Sequence, residues 1–189
     1  GLQFGVMLFL MAAGLTLVFG IMNLVNLAHG SLYMVGAYLT VAAVQWTGSY
    51  PLGVLLGLAG TLVVGMLLEV IALRTLYERD HLDQVLATFG LILFFNELIA
   101  MVWGRTALFM SLPSYLQGHI EIIPGSIYPL YRAVVIGVGL VVGAVLWYVV
   151  AKTRLGMLIR AGASNRTMVA ALGVNIRLLY TVVFGFGAA

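Results

Sequence analysis

The sequence predicts an all-α fold, a polytopic transmembrane helical bundle, and three observations carry that prediction. Of its 189 residues 63% are hydrophobic and 8% are charged, and the mean hydropathy is +1.13. Nine basic and six acidic side chains are too few to cover the surface of a water-soluble domain of this size. None of them falls within residues 1–68, a run long enough to cross a bilayer three times at about 20 residues per crossing. In lipid every backbone polar group needs an internal partner, so apolar runs of this kind fold as helices.

The first span covers residues 2–22, with Gln3 and Thr16 as its polar residues. It lacks the basic flank of a signal peptide and the apolar sequence resumes after Gly30, which makes it a retained helix. Residues 23–30 interrupt it. The following stretch, residues 31–44, reaches only about 21 Å at 1.5 Å per residue, so it either begins inside the interruption or forms half of a broken helix. Residues 45–50 with Pro51 read as a turn, since proline ends one helix and can open the next. Residues 51–73, 85–103 and 130–151 are three further spans. Between the last two, Pro113, Pro124, Pro129 and the alternating residues 119–123 predict a short hairpin or an amphipathic cap. Beyond residue 176 the chain is apolar apart from Arg177. Its 12 residues from Leu178 give about 18 Å, which with a first residue of Gly suggests a fragment whose sixth membrane segment is cut short.

The net charge of +3 is unevenly placed. Residues 152–177 hold Lys152, Arg154, Arg160, Arg166 and Arg177 with no acid, whereas residues 69–84 hold four acids and two arginines. Five cations between apolar segments mark a cytoplasmic loop rather than a nucleic-acid surface. Alternation then puts residues 104–129 outside and 74–84 inside. The chain has no cysteine, which excludes disulfides, thiol catalysis and thiolate metal sites. Its one lysine, Lys152, stands between Ala151 and Thr153, so there is no P-loop. His29, His81 and His119 are too scattered for a metal site, no Ser/His/acid arrangement appears, and no cofactor is implied.

Polar groups at membrane depth are the remaining candidates. Asn23, Asn26 and His29 are spaced three apart, and if helical they share a face that ends at Gly30 and Ser31. Such a face lines a pathway, bonds one helix to another, or caps a turn at the membrane surface. Asn96 and Glu97 lie past the middle of the 85–103 span. The carboxylate must be neutral, paired or hydrated there, with Arg105 as one possible partner, and a pathway role and a structural ion pair both fit. Glu69 and Arg74 read as interfacial anchors near a helix end. Gly53 and Gly57, like Gly137, Gly139 and Gly143, have small-residue spacings that suit helix packing.

In the inner loop Ser164 or Asn165 can cap a short helix running to about Leu172, with Gly173 as terminator and Asn175 capping the next helix. Met168, Val169 and Leu172 form an apolar strip on it beside Arg166. Such a helix suits a groove on a partner protein, or else lies on the bilayer, which Arg154 and Arg160 also favour.

Taken together these residues resemble the permease subunits of bacterial ABC importers for branched-chain amino acids, along the whole chain. The resemblance is carried by residues 14–20 leading into Met22-Asn23, by Asn26-Leu27-Ala28-His29-Gly30, and by Met34 with Gly36-Ala37-Tyr38. It continues in Ala87-Thr88-Phe89-Gly90-Leu91, Thr153-Arg154-Leu155-Gly156, Ile159-Arg160-Ala161 and Ala170-Ala171-Leu172-Gly173-Val174-Asn175. Within the permease pair the pattern is closer to the first subunit. The family often has Phe where Leu27 stands and an acidic residue where Asn165 stands.

The resemblance implies one multi-pass inner-membrane permease domain over residues 1–189, with residues 152–175 as a cytoplasmic coupling loop. It implies separate ABC ATPase subunits met by Arg160, Asn165, Arg166, Met168, Val169, Leu172 and Gly173. A second permease subunit, an extracytoplasmic amino-acid-binding protein and membrane lipid are the other partners. Asn23, Asn26, His29, Gly30, Asn96 and Glu97 are the candidates for the translocation route. Two rivals are an ion-coupled secondary transporter that protonates Glu97 and His29, and a membrane scaffold that transports nothing.

Overall fold

In a computed structural model that describes residues 1–106, 108–123 and 126–189, the chain is a bundle of eight α-helices with one small hairpin. Pro124 lies outside the described residues. The first helix, α1, spans Leu2–Met22 and ends where Asn23 takes a left-handed conformation, φ 50°, with its N–H bonded to the Phe19 carbonyl at 2.9 Å. Asparagine is among the few residues other than glycine that visit this region routinely. Residues 24–28 are not helical. Helix α2 then runs over His29–Thr47, so the short apolar stretch read from sequence starts inside the interruption and continues three residues further. Gly48, at φ 66°, ends it, and α3 over Tyr50–Ile71 opens with Pro51 in its first turn.

A 3₁₀ turn at Leu73–Leu76 leads to α4, His81–Trp103, which begins four residues before the sequence boundary. Strands β1, His119–Ile123, and β2, Ser126–Pro129, form the expected hairpin between α4 and α5. Helix α5 covers Leu130–Lys152. The structure then adds a helix absent from the sequence reading, α6 over Arg154–Ser164, capped by Thr153, whose hydroxyl accepts from the Gly156 N–H at 3.3 Å. A short α7, Arg166–Ala171, and α8, Ile176–Ala188, complete the chain. Among the described residues four helices, α1, α3, α4 and α5, are long and apolar enough to cross a membrane.

Contacts give the helix directions. Gly139 and Gly143 of α5 lie against Val6 and Phe9 of α1, so these two helices run the same way. Gly187 of α8 meets Gly14 and Val18 of α1, and Gly185 meets Met66 and Leu62 of α3, so α8 runs against both. Calling the end that carries residues 152–177 the inner end, as the sequence expects, α1 runs toward that end and α8 away from it. The core sits toward the inner end, around Met22, Leu24, Leu32, Leu73 and Phe184.

Helices α2 and α3 pack closely through small residues. A methyl group placed on Gly57 would lie 2.8 Å from Cα of Thr40, and one on Gly53 would lie 2.8 Å from Cα of Val44. Lipid supplies no hydrophobic drive between helices, so this approach of backbone to backbone is what holds the pair. At the inner end a different device operates. Glu69 has no exposed surface and is paired with Arg74 at 3.1 Å. Its carboxylate also accepts from the Tyr77 hydroxyl at 2.8 Å and from the Thr181 hydroxyl of α8 at 2.6 Å. Burial first, and then the bond to Glu69, raise the Tyr77 phenol above its usual range and keep it a donor. Glu69 and Arg74 are thus a core junction, not the interfacial anchors read from sequence.

These contacts set two stability expectations, both measurable by unfolding in detergent micelles. Gly57→Val should cost about 1–3 kcal/mol through overpacking, whereas Gly90→Ala, whose added methyl meets nothing within 4 Å, should be close to neutral. Glu69→Ala, which removes the acceptor of Tyr77 and Thr181 and the ion-pair partner of the one-third-exposed Arg74, should cost about 1–3 kcal/mol. Tyr77→Phe should cost about 1.5–3 kcal/mol, as for a lost hydrogen bond to a charged group. Losses under about 1 kcal/mol at both Glu69 and Tyr77 would restore the anchor reading.

Candidate functional site

The polar residues of the first third do not share a helical face, because Asn23 turns the chain back on itself at the inner end of α1. Asn23 is exposed there, whereas Leu24 and Ala28 have no exposed surface. Asn26 is 4% exposed and His29 7%. The Asn26 Oδ1 accepts from the Ala28 N–H at 3.1 Å, which starts α2, while its Nδ2 and the His29 Nδ1 have no hydrogen-bond partner among the described residues. His29 lies against α1: a methyl on Gly14 would sit 3.1 Å from its Nε2 and also strike the Gly187 carbonyl of α8. The imidazole therefore sits among α1, α2 and α8. Buried side-chain nitrogens of this kind are places where water or a polar solute binds. Gly30, next in sequence, is exposed and its Cα has open space around it.

Asn96 and Glu97 are elsewhere. Phe95 and Ile99 form the face of α4 that packs inward, leaving Asn96 and Glu97 exposed on its other side. The Glu97 Oε2 lies 3.6 Å from the Arg105 guanidinium, and both side chains are exposed. The structure thus buries Asn26 and His29 in the bundle and leaves Asn23, Gly30, Asn96 and Glu97 exposed.

One residue that holds the region together has no place in the sequence reading. Gln84, 3% exposed, donates through Nε2 to the carbonyls of Leu76 and Arg79, each at 3.2 Å, and its Oε1 accepts from the Val25 N–H at 3.3 Å. It fastens the start of α4 to the non-helical residues 24–28. An available signal was Gln84 with Thr88 one turn later, two polar residues on a single face of an apolar span. Thr88 too is fully buried.

On the inner side the sequence caps appear where expected. The Asn165 Oδ1 accepts from the Met168 N–H at 3.0 Å, Gly173 adopts φ 85°, and the Asn175 Oδ1 accepts from the Leu178 N–H at 3.1 Å. The strip on α7 divides, however. Met168 and Leu172 are 65% and 79% exposed, while Val169 is 6% exposed and faces the protein. Arg160 is exposed and its guanidinium donates to the Val150 carbonyl near the end of α5. The side chain of Arg166 lies outside the described residues. Between α1, α5 and α6 runs a cleft of about 610 Å³ lined by Phe9, Ala13, Gly20, Trp147 and Arg160. It is largely apolar and does not include Asn26 or His29. Among the described residues no three His, Asp or Glu side chains come together to hold a metal ion.

Comparison with known proteins gives this architecture a family. Residues 1–189 match the family described as the permease component of the branched-chain amino acid transport system. All of the chain aligns with the high-affinity branched-chain amino acid transport system permease protein BraD of Pseudomonas aeruginosa, at 28% identity and over 65% of that protein. It aligns equally completely with the corresponding LivH of Escherichia coli K12, at 29% identity and again over 65% of the relative. A probable LivH permease of Methanocaldococcus jannaschii is 28% identical over 90% of this chain and 55% of its own length. The chain therefore spans just under two thirds of the length of the first two relatives. No solved structure matches it. The four long apolar helices place it in the inner membrane as a multi-pass protein, and with the family match over its full length the chain belongs to the branched-chain amino acid transport permeases.

Proposed function

We propose that the chain is the membrane-spanning part of an ATP-driven importer for branched-chain or other hydrophobic amino acids. The observation that carries this reading is the family match over residues 1–189, together with relatives named as high-affinity branched-chain amino acid permeases. ATP is bound and hydrolysed on separate cytoplasmic ATPase subunits. A binding protein delivers the substrate to the outer face, and a second permease subunit completes the route.

The inner helices support the coupling role. Met168 and Leu172 project from α7 with no cover from the chain, on a segment whose only charges are basic. An exposed helix with two apolar anchors and fixed caps at both ends fits a groove on a partner. Arg160 and Arg166 add charge around it, and Asn165 and Gly173 set its ends. On the route itself a zwitterion with an apolar side chain needs only a few polar partners for its amine and carboxylate. Asn26 and His29 have the burial and the free nitrogens for that task, with Asn23 and Gly30 at the inner approach. Asn96 and Glu97 would meet a second subunit or lipid from the outward face of α4. The proton-coupled rival finds less support, since Glu97 is exposed beside Arg105 while His29 is buried against α1 and α8.

The whole protein solubilised from native membranes is expected to bring ATPase subunits with it in a stable complex, and recovery with none overturns the reading. Within that complex Met168→Asp should reduce ATPase retention about 30-fold, the effect of losing an anchor of about 2 kcal/mol. Unchanged retention and unchanged ATP-driven leucine uptake would remove α7 from the contact.

A further inference from the structure

We infer that Thr181 and Tyr180 are positioning residues for the transport cycle, joining the inner helices to the non-helical residues that precede Asn26 and His29. The inference rests on the ATP-driven reading above and names a joint which that reading leaves open. The connection between α7 and α8 is short. Gly173 and Val174 turn the chain, with the Val174 N–H reaching back to the Val169 carbonyl at 3.4 Å, and Asn175 caps α8 at once. A displacement of α7 is therefore carried into α8 with little slack.

Two turns into α8, neighbouring residues hold two different helices. Thr181 donates to the buried Glu69 of α3, and Tyr180 donates to the Ile21 carbonyl at the end of α1 at 3.3 Å. The Tyr180 ring also stands edge-on to Tyr77, with centroids 5.3 Å apart, and the Tyr77 hydroxyl lies 3.7 Å from the Met22 sulfur. Movement of α8 thus reaches residues 21 and 22, immediately before the left-handed Asn23. On the far side of that segment Gln84 holds the Val25 N–H.

The Thr181 contact is also the part of the cluster that can open at low cost. Its hydroxyl carries one hydrogen and has a second acceptor, the Arg177 carbonyl, at 3.0 Å. Its oxygen accepts from the Arg74 guanidinium at 3.0 Å, a bond that the turn of the hydrogen toward that carbonyl does not require breaking, so no hydroxyl is stranded. Glu69 meanwhile keeps Arg74 and Tyr77, so its charge stays paired. The geometry supplies two arrangements of one hydroxyl, with the rest of the junction intact in both.

These 189 residues hold no cysteine, so one introduced among them can be followed by its own labelled peptide in the complete transporter with its ATPase subunits. Leu27→Cys, at a half-exposed position of the moving segment, reports the rate of alkylation by a maleimide with and without ATP and vanadate. The expected result is a nucleotide-dependent rate that Thr181→Val abolishes and Thr181→Ser retains, with ATP hydrolysis continuing in both. Should Thr181→Val fail to accumulate, Tyr180→Phe decides: it keeps the ring, drops the hydroxyl on Ile21, and should abolish the difference equally. A difference that survives Thr181→Val, or survives Tyr180→Phe, overturns the proposal. So does a Leu27→Cys protein that hydrolyses ATP with no change in alkylation, and in that case the importer reading stands. A purified complex without any ATPase subunit removes both.

Discussion

Everything at the inner end of this bundle depends on one carboxylate that has no access to water. An ionised group in apolar surroundings is tolerated only when it is paired and its oxygens are satisfied. Glu69 meets that demand with donors from three places: Arg74 five residues on, Tyr77 eight residues on, and Thr181 more than a hundred residues away. The demand shapes the chain. After α3 the backbone must tighten into a 3₁₀ turn for Arg74 and Tyr77 to reach back, and α8 must arrive with Thr181 turned toward α3. Tyr180 then points at α1 by virtue of being next in line, so one buried charge sets the mutual positions of three helices.

The outer half of the bundle is held by different means. Between α2 and α3 there is no charge, and contact comes from Gly53 and Gly57 admitting Val44 and Thr40 to within backbone distance. The Thr61 hydroxyl, at the same interface, is satisfied within its own helix by the Gly57 carbonyl at 2.7 Å. Dispersion between closely fitted surfaces has no second arrangement to fall into, whereas a hydroxyl with two acceptors does. The closely fitted contact thus lies toward one end of the bundle and the hydroxyl with two acceptors toward the other, the end that carries the basic residues 152–177.

What was legible in the sequence was what depends on neighbours in the chain. Asn165, Gly173 and Asn175 end helices through bonds three to five residues long, and their side-chain chemistry announces them. The end of α1 at Met22, the opening of α3 at Pro51 and the hairpin around residues 119–129 are of the same kind. The depth of Glu69 was not legible, because the residue that completes its shell lies on another helix at the far end of the chain. Nor was the direction of Val169, one position from Met168 yet turned to the protein. Helix α6 did carry a sign: Leu155, Leu158 and Ile159 recur at helical spacing after the Thr153 cap, beneath a run of cations that draws attention to charge alone. Asn23, Asn26 and His29 were singled out correctly as polar groups in an apolar run. Their arrangement stayed open between a helical face and a capped turn, since both share the same spacing, and the chain forms the turn.

That reversal explains why an asparagine stands at position 26. Non-helical backbone within a membrane protein must find partners outside the ordinary helix ladder. Here two side-chain amides provide them: Gln84 for the Val25 N–H and Asn26 for the Ala28 N–H. Asn26 spends its oxygen on this structural bond and keeps its amino group, buried near the start of α2, for another acceptor. An aspartate could take over the first role but would bring a charge and no donor, and a serine has only one hydrogen on a shorter arm. A single neutral amide can both shape the reversal and present a donor at its turning point. The same side chain that caps the break therefore leaves a buried amide donor at its turning point, and the break and that polar position are one feature of the chain.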